Sequence, residues 1–507
     1  MRRRPRPELH ASRPMTANEP VPSAMETPVE DHAFLGHPKG LGYLAFTEAW
    51  ERFSYYGMQS LLVLYMAKQL LLPGHVENIA FFDSFKRLYG GLEGPALASA
   101  IFGTYAALVY FTPTLGGLLA DRWLGKKRTV LAGALSMALG HFLMAFEVSF
   151  LFALLALVIG SGLFKGNLAS QIGALYKPDD LRRADAFQIY YLAINAGVII
   201  SPLVTGTLGE KVGWHYGFGA AGIGMLIGLA IYLAGQRYLP PEEPRIARNS
   251  AAPRDRMTRD DWIALSITIL LIPVLAVGLL PNQQIFNAYL LWGDTAFELN
   301  FFGTKLPTTW LVTLDAIVSV SFLAIVALFY RWYGKRWREP DELGKCVIGS
   351  LFSIAGMLCL FMAAATQPHA GKIGLFWPVA FHFLNSIAFA HTLPVSLALF
   401  ARLAPKPVQA TVVGMYSMSF FFANALVGWI GGWINTMPAT SFWLMHAGFA
   451  GASGVVFLIL KLTLKERLRH QHLIRPNAKA DQLSKTSPMD RTGRSPSHLR
   501  DSSRIRS

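Results

Sequence analysis

Apolar runs of roughly 20 residues, separated by short polar stretches, recur along most of this chain. That length matches the hydrocarbon core of a bilayer, so the pattern predicts an all-α polytopic membrane protein. Twelve spanning segments are expected, at 41–67, 96–119, 128–147, 150–174, 186–208, 216–237, 261–291, 309–330, 344–366, 374–401, 409–433 and 441–463. The seventh is long and holds Pro273 and Pro281, which predicts a kink or break there. The polar stretch 238–260 separates the first six segments from the last six. The expected organisation is a basic tail at 1–40, a six-helix bundle at 41–237, a linker at 238–260, a second bundle at 261–464 and an Arg/Ser-rich tail at 465–507. Both tails read as disordered.

Composition supports the membrane reading. The 507 residues are 52% hydrophobic and 15% charged, against about a quarter charged in a soluble protein. A net charge of +15 would suggest nucleic acid in a soluble chain. Here the basic residues sit in loops and tails, as the positive-inside rule requires, and no nucleic-acid partner is expected. With the N-terminus placed inside, the loops on that side carry 20 Lys and Arg against six on the other. Both termini are therefore expected in the cytoplasm, with the protein integral to the cell membrane. The arginines at the start are followed by no apolar run, so they do not read as a secretory signal. Cys346 and Cys359 lie thirteen residues apart on one segment and suggest neither a bridge nor a metal cluster. No GxxxxGK[ST] phosphate loop occurs, and no cofactor is expected.

The first segment departs from simple apolarity. At about 100° per residue, Glu48, Arg52, Tyr55 and Gln59 share one helix face, with Glu51 beside them. Glu48 and Arg52 are i,i+4 partners. Hydrocarbon penalises charge, so such groups face each other or water. Carboxylates in this setting can bind protons, because their charge responds to partners and solvation.

The same residues carry a resemblance. Glu48-Ala-Trp-Glu51-Arg52-Phe53-Ser54-Tyr55-Tyr56-Gly57 resembles the ExxERFxYYG motif of the proton-coupled oligopeptide transporter (POT, or PTR) family, and 34–41 resembles that family's entry into the helix. The resemblance implies the major facilitator fold: twelve helices in two six-helix bundles, with the site between the halves. It implies proton-coupled import of di- and tripeptides by alternating access, and no enzyme activity. The partners implied are protons, the bilayer and a small peptide, zwitterion or anion.

Further residues follow. Lys165, in Gly160-Ser-Gly-Leu-Phe-Lys165-Gly166-Asn167, lies deep in an apolar run and needs a partner or water. It is expected to face the acids of the first segment, and it resembles the family's site lysine. The alternative is a lysine snorkelling from a helix end. Glu48, Glu51, Arg52 and Lys165 are thus expected to couple protons. The stretch Phe187-Gln-Ile-Tyr190-Tyr191-Leu-Ala-Ile-Asn195-Ala-Gly197 is similar to FYxxINxG. That match gives Asn195 a substrate hydrogen bond, while its chemistry alone allows an interhelical clamp equally. Tyr110 matches a family pocket tyrosine and otherwise reads as an interface aromatic. Tyr55 and Tyr56 are expected beside Arg52 and Lys165 in substrate binding. After the second segment, Gly116-Gly-Leu-Leu-Ala-Asp121-Arg122-Trp-Leu-Gly125-Lys-Lys-Arg128 resembles the major facilitator motif GxxxDRxxGrr. Its glycines allow close helix contact, and Asp121 and Arg122 are expected to act as a gate latch; the bland alternative is an orientation signal.

The second half departs from the family. Gln59 stands where an Arg is common, Asn282 where an acid is, and Phe389 where peptide transporters carry the Glu that holds a peptide's amino terminus. Asp315, an intramembrane acid, is the expected replacement for that charge; otherwise it is a structural partner for Lys165 or an amide. His382 and His391 read as hydrogen-bonded packing residues or, less simply, as proton carriers. These departures open a non-peptide anion or metabolite as the alternative cargo. A non-transporting receptor is the remaining alternative.

Overall fold

The computed structural model describes residues 31–177, 180–241, 257–367, 371–405 and 408–474. Most of both expected tails, and the middle of the 238–260 linker, lie outside the described residues. The helices are α1 (Lys39–Tyr65), α2 (Phe82–Lys86), α3 (Gly94–Leu119), α4 (Lys126–Leu143), α5 (Phe150–Ala174), α6 (Arg182–Ser201), α7 (Trp214–Gly235), α8 (Arg259–Gln283), α9 (Ala288–Ala296), α10 (Trp310–Tyr333), α11 (Glu342–Ala365), α12 (Phe376–Leu403), α13 (Gln409–Gly431) and α14 (Ala439–Ile474). A small antiparallel hairpin, β1 (Asn300–Phe301) and β2 (Thr304–Lys305), pairs Asn300 with Lys305.

All but α2 and α9 correspond to the twelve expected segments. Ten of them are long and apolar enough to cross a membrane. The two that fall short do so for visible reasons. Helix α1 spends its apolarity on the Glu48/Glu51/Arg52 stripe. Helix α4 begins with Lys126, Lys127 and Arg128 in an 18-residue helix. Outside the packed faces, large apolar side chains such as Leu135, Leu155, Leu328 and Ile459 are exposed. A soluble protein would cover such surfaces; lipid-facing helices present them. The chain is an integral membrane protein.

The seventh segment breaks, but not at a proline. Helix α8 runs through Pro273 and Pro281 and ends at Gln283. A tight turn at Gln284–Phe286 leads to Asn287 at φ −130° and ψ −104°, and α9 starts anew. Asn287 Nδ2 donates to Ser99 Oγ at 2.8 Å and to the Val427 carbonyl at 3.1 Å. Side-chain bonds thus fix the break where the backbone ladder is interrupted.

Internal contacts divide the chain into two compact units, Met1–Gln59 with Thr112–Ser250, and Ser60–Phe111 with Ala251–Ser507. The cut between 250 and 251 falls inside the expected linker, whereas 60–111 groups with the later residues rather than with the first six segments. In the first unit α4 packs along α5 and against α7. Helices α3 and α5 meet at Gly116 and Gly162, where a Cβ on Gly116 would collide with the Gly162 carbonyl. Lipid tails are as apolar as leucine, so such close backbone approach, rather than exclusion of water, drives association. In the second unit α11 packs along α12 and α14, and α8 packs on α13 and α14. Leu271, Leu275, Phe400, Tyr416 and Phe420 form the centre of that core.

Candidate functional site

Helix α1 positions the polar cluster because its other faces are held by small residues. Ser54 Oγ donates to the Ala221 carbonyl of α7 at 2.6 Å. On α6, Gly197 lies so close to α1 that a Cβ there would meet the Ala49 carbonyl and Arg52 Cβ. Ser201 of α6 also hydrogen-bonds the Phe53 carbonyl. The remaining face carries the stripe predicted from sequence.

Arg52 sits between both acids. Its Nε donates to Glu48 Oε1 at 2.8 Å, and one terminal nitrogen lies 2.7 Å from the same oxygen. The Nε is also 2.9 Å from Glu51 Oε2. Glu48 and Glu51 are buried, at 2% and 0% exposure. Glu51 Oε1 accepts no hydrogen bond among the described residues. A buried, unsatisfied carboxylate oxygen is costly. With Glu51 Oε2 and Glu48 Oε2, which accept none either, it offers a place in this cluster where a proton can be added without breaking an existing hydrogen bond.

Lys165 of α5 completes the cluster. Its Nζ lies 3.7 Å from the centre of the Tyr55 ring, a cation–π distance. It is within electrostatic range of Glu51, Glu48 and Arg52. Tyr55 packs edge-on against Tyr56 at 5.2 Å, and Tyr56 and Tyr190 lie within range of Arg52. Two acids and two bases therefore balance when all are ionised, and one added proton leaves a net positive site. Tyr190, read from sequence only as part of a motif, faces Glu48. Its seven-residue spacing from Gly197 is the signal that puts both on the α1 side of α6.

Other sequence-predicted residues go elsewhere. Asn195 donates to the Tyr191 carbonyl of its own helix at 2.7 Å; it lies about 140° around α6 from Tyr190. Among the described residues its amide makes no interhelical hydrogen bond. Tyr110 belongs to the second unit and stacks on Phe420 of α13 at 4.8 Å. Asp121 and Arg122 are exposed in the wide turn Ala120–Leu124 after α3. Asp315 pairs with a histidine. Its Oδ1 is 3.0 Å from His382 Nδ1, and His382 Nε2 is 2.9 Å from the Tyr289 hydroxyl. His391 bonds the Ile387 carbonyl at 2.8 Å and the Tyr330 hydroxyl at 3.1 Å. Sequence weighed Asp315 and His382 separately, because nothing in their spacing links two helices.

A membrane chain with a buried acid–base cluster on α1 has counterparts among known proteins. The POT family model matches residues 127–252 and 258–446. This chain belongs to the POT family. The match begins after α1, so the acid–arginine stripe is a second, separate mark of the family. The peptide transporter YePEPT of Yersinia enterocolitica subsp. palearctica is 30% identical over 79% of this chain and 89% of its own length. A di-/tripeptide transporter of Lactococcus lactis subsp. cremoris is 27% identical, over 85% of this chain and 96% of its own. A crystal structure of the peptide transporter POT in complex with sulfate superposes with a TM-score of 0.73 at 26% identity, covering 86% of this chain and 96% of that one. The fold is that of the major facilitator-type POT transporters. These relatives are transporters.

Proposed function

We propose that this POT family member is a proton-coupled symporter importing di- and tripeptides across the cell membrane, with both termini in the cytoplasm. The observation that carries the proposal is the buried cluster of Glu48, Glu51 and Arg52 with Lys165 over Tyr55. When the cavity faces outward, a proton joins the acids, with Glu48 Oε2 and both Glu51 oxygens as the open positions. Protonation weakens the hold of the acids on Arg52 and Lys165. Those cations then take the substrate carboxylate through charge-assisted bonds. Tyr55, Tyr56, Tyr110 and Asn195 line the pocket, the last after turning from its own helix. Asp315 holds the substrate amine, and Asp121 and Arg122 latch one gate state. Occupancy by both proton and substrate permits the bundles to rock. Loss of the proton to the cytoplasm restores the ion pairs and expels the substrate.

The test is uptake of a labelled dipeptide into proteoliposomes. An inward proton gradient is imposed and then collapsed. Accumulation that needs the gradient and vanishes in Glu51→Gln supports the reading. A folded protein that accumulates no dipeptide sinks it and selects the second reading, a non-peptide anion or metabolite moved by the same proton machinery. That alternative is favoured by one observation: Phe389 stands at the family's acidic position, and Asp315 is already engaged by His382.

A further inference from the structure

A second titratable cluster lies in the second unit, apart from α1. Asp315 of α10 and His382 of α12 are 3.0 Å apart, and the Tyr289 hydroxyl of α9 closes the chain at 2.9 Å. His382 and Tyr289 are fully buried, while Asp315 keeps 15% of its side chain exposed. Phe381 and Phe297 pack on the Tyr289 ring at 5.1 and 5.5 Å, which seals that end against water. Cys359 of α11 is the other titratable group facing Tyr289. No Lys or Arg pairs with Asp315 among the described residues. With neutral His382 the cluster therefore carries one uncompensated negative charge inside a spanning bundle, which is costly. One added proton neutralises it, either as Asp315 acid or as imidazolium beside carboxylate. The tyrosine hydroxyl can donate to or accept from Nε2, so it accommodates both states.

The seam continues. One turn on, about 6 Å along each helix, Ser319 and Ser386 are in hydrogen-bond contact at 2.9 Å. One turn further, Leu323 and Ala390 enter a cavity of about 290 Å³ whose polar lining includes Tyr330, Arg331, Glu339, Lys345 and His391. We propose that Asp315, His382 and Tyr289 form a second proton-binding site, distinct from the α1 cluster, and that the Ser319–Ser386 pair connects it to this cavity. The proposal rests on the proton-coupled reading above. In the orientation proposed there, the cavity opens on the cytoplasmic side.

The test of the proton-binding site needs no substrate. In purified ligand-free protein with ¹⁵N-labelled histidines, the His382 ring signals are assigned by their loss in His382→Gln. They are expected to report proton uptake by the cluster in the unsubstituted protein and to lose that response in Asp315→Asn. A His382 that stays neutral in the unsubstituted protein, or titrates identically without Asp315, overturns the proposal. Tyr289→Phe, which keeps the ring and removes the Nε2 partner, is expected to shift the same titration. A midpoint unmoved in that variant also counts against the site, and this holds even where Asp315→Asn does not fold. For the path, Ser319→Ala/Ser386→Ala is expected to slow gradient-driven uptake by tenfold while His382 titrates as before; undiminished uptake removes the path. A chain that carries no dipeptide yet shows the coupled His382 titration fails the functional reading and leaves this one standing.

Discussion

Arg52 is the residue on which the α1 cluster depends, because it lies against two buried acids. Removing one partner of a buried charge pair leaves the other uncompensated, at a cost of about 3–5 kcal/mol. Arg52→Met is therefore expected to lower the thermal midpoint of the purified protein far more than Glu51→Gln, whose amide keeps the shape and loses only a charge. Melting curves of both variants in one detergent check the order. The opposite ranking would mean that Arg52 is not the counter-ion of both acids. This cluster was legible in the sequence because Glu48, Glu51 and Arg52 share one helix, and helical period alone brings them together. Asn195 was not. A motif match says which residue is present, while its hydrogen bond to Tyr191 depends on the rotamer that its local surroundings favour.

At the scale of elements, α1 is held by close crossings. Gly197 lets α6 approach the Ala49 carbonyl. Gly197→Ala is expected to destabilise by about 1–3 kcal/mol through overpacking and to disturb proton coupling, because Arg52 Cβ meets the same added atom. Thermal melting together with gradient-driven uptake measures both; a variant normal in both places the crossing elsewhere. Outside the membrane, Asp294 of α9 fastens the turn after α1 to the β2 strand. It receives Lys305 at 2.8 Å, Thr308 at 2.8 Å and Lys68 at 3.0 Å. Burial by itself would raise its pKa; the hydrogen bonds from Lys305, Lys68 and Thr308 outweigh that and hold the carboxyl below the usual range. A depressed folded pKa means stabilisation that is complete above the unfolded value, about 3.9, and is lost as pH falls through the folded value. Asp294→Asn should therefore cost about 1 kcal/mol at pH 7 and progressively less below about pH 4. Equal effects at both pH values would show that the carboxylate's charge is not what fastens the turn.

At the scale of the whole molecule, the loop charges predict orientation. From twenty basic residues against six, both termini are expected on the cytoplasmic side. Protease accessibility of terminal tags in sealed spheroplasts checks this: tags cut only after lysis agree, and a tag cut from outside reverses the topology and the direction of the cavity beside His391. The ten helices long and apolar enough to cross a membrane were readable because each needs only its own length and apolarity. The division into compact units was not. Where 60–111 groups depends on contacts with residues from Ala251 onward, and no local pattern encodes those.

The sequence by itself determined that the chain is a helical membrane protein, where its helices run, and that one of them carries two acids and an arginine on a common face. These are properties of period, length and composition within single segments. Tertiary structure decided which residues on different helices meet. It set Lys165 over Tyr55, Tyr190 against Glu48, and Asp315 on His382. It also moved the break in the seventh segment from its prolines to Asn287, where bonds to Ser99 and Val427 replace the helical ladder. The physical reason is the same in each case. A hydrogen bond or ion pair between helices depends on their crossing point and relative rotation, and these are fixed by packing over many residues at once.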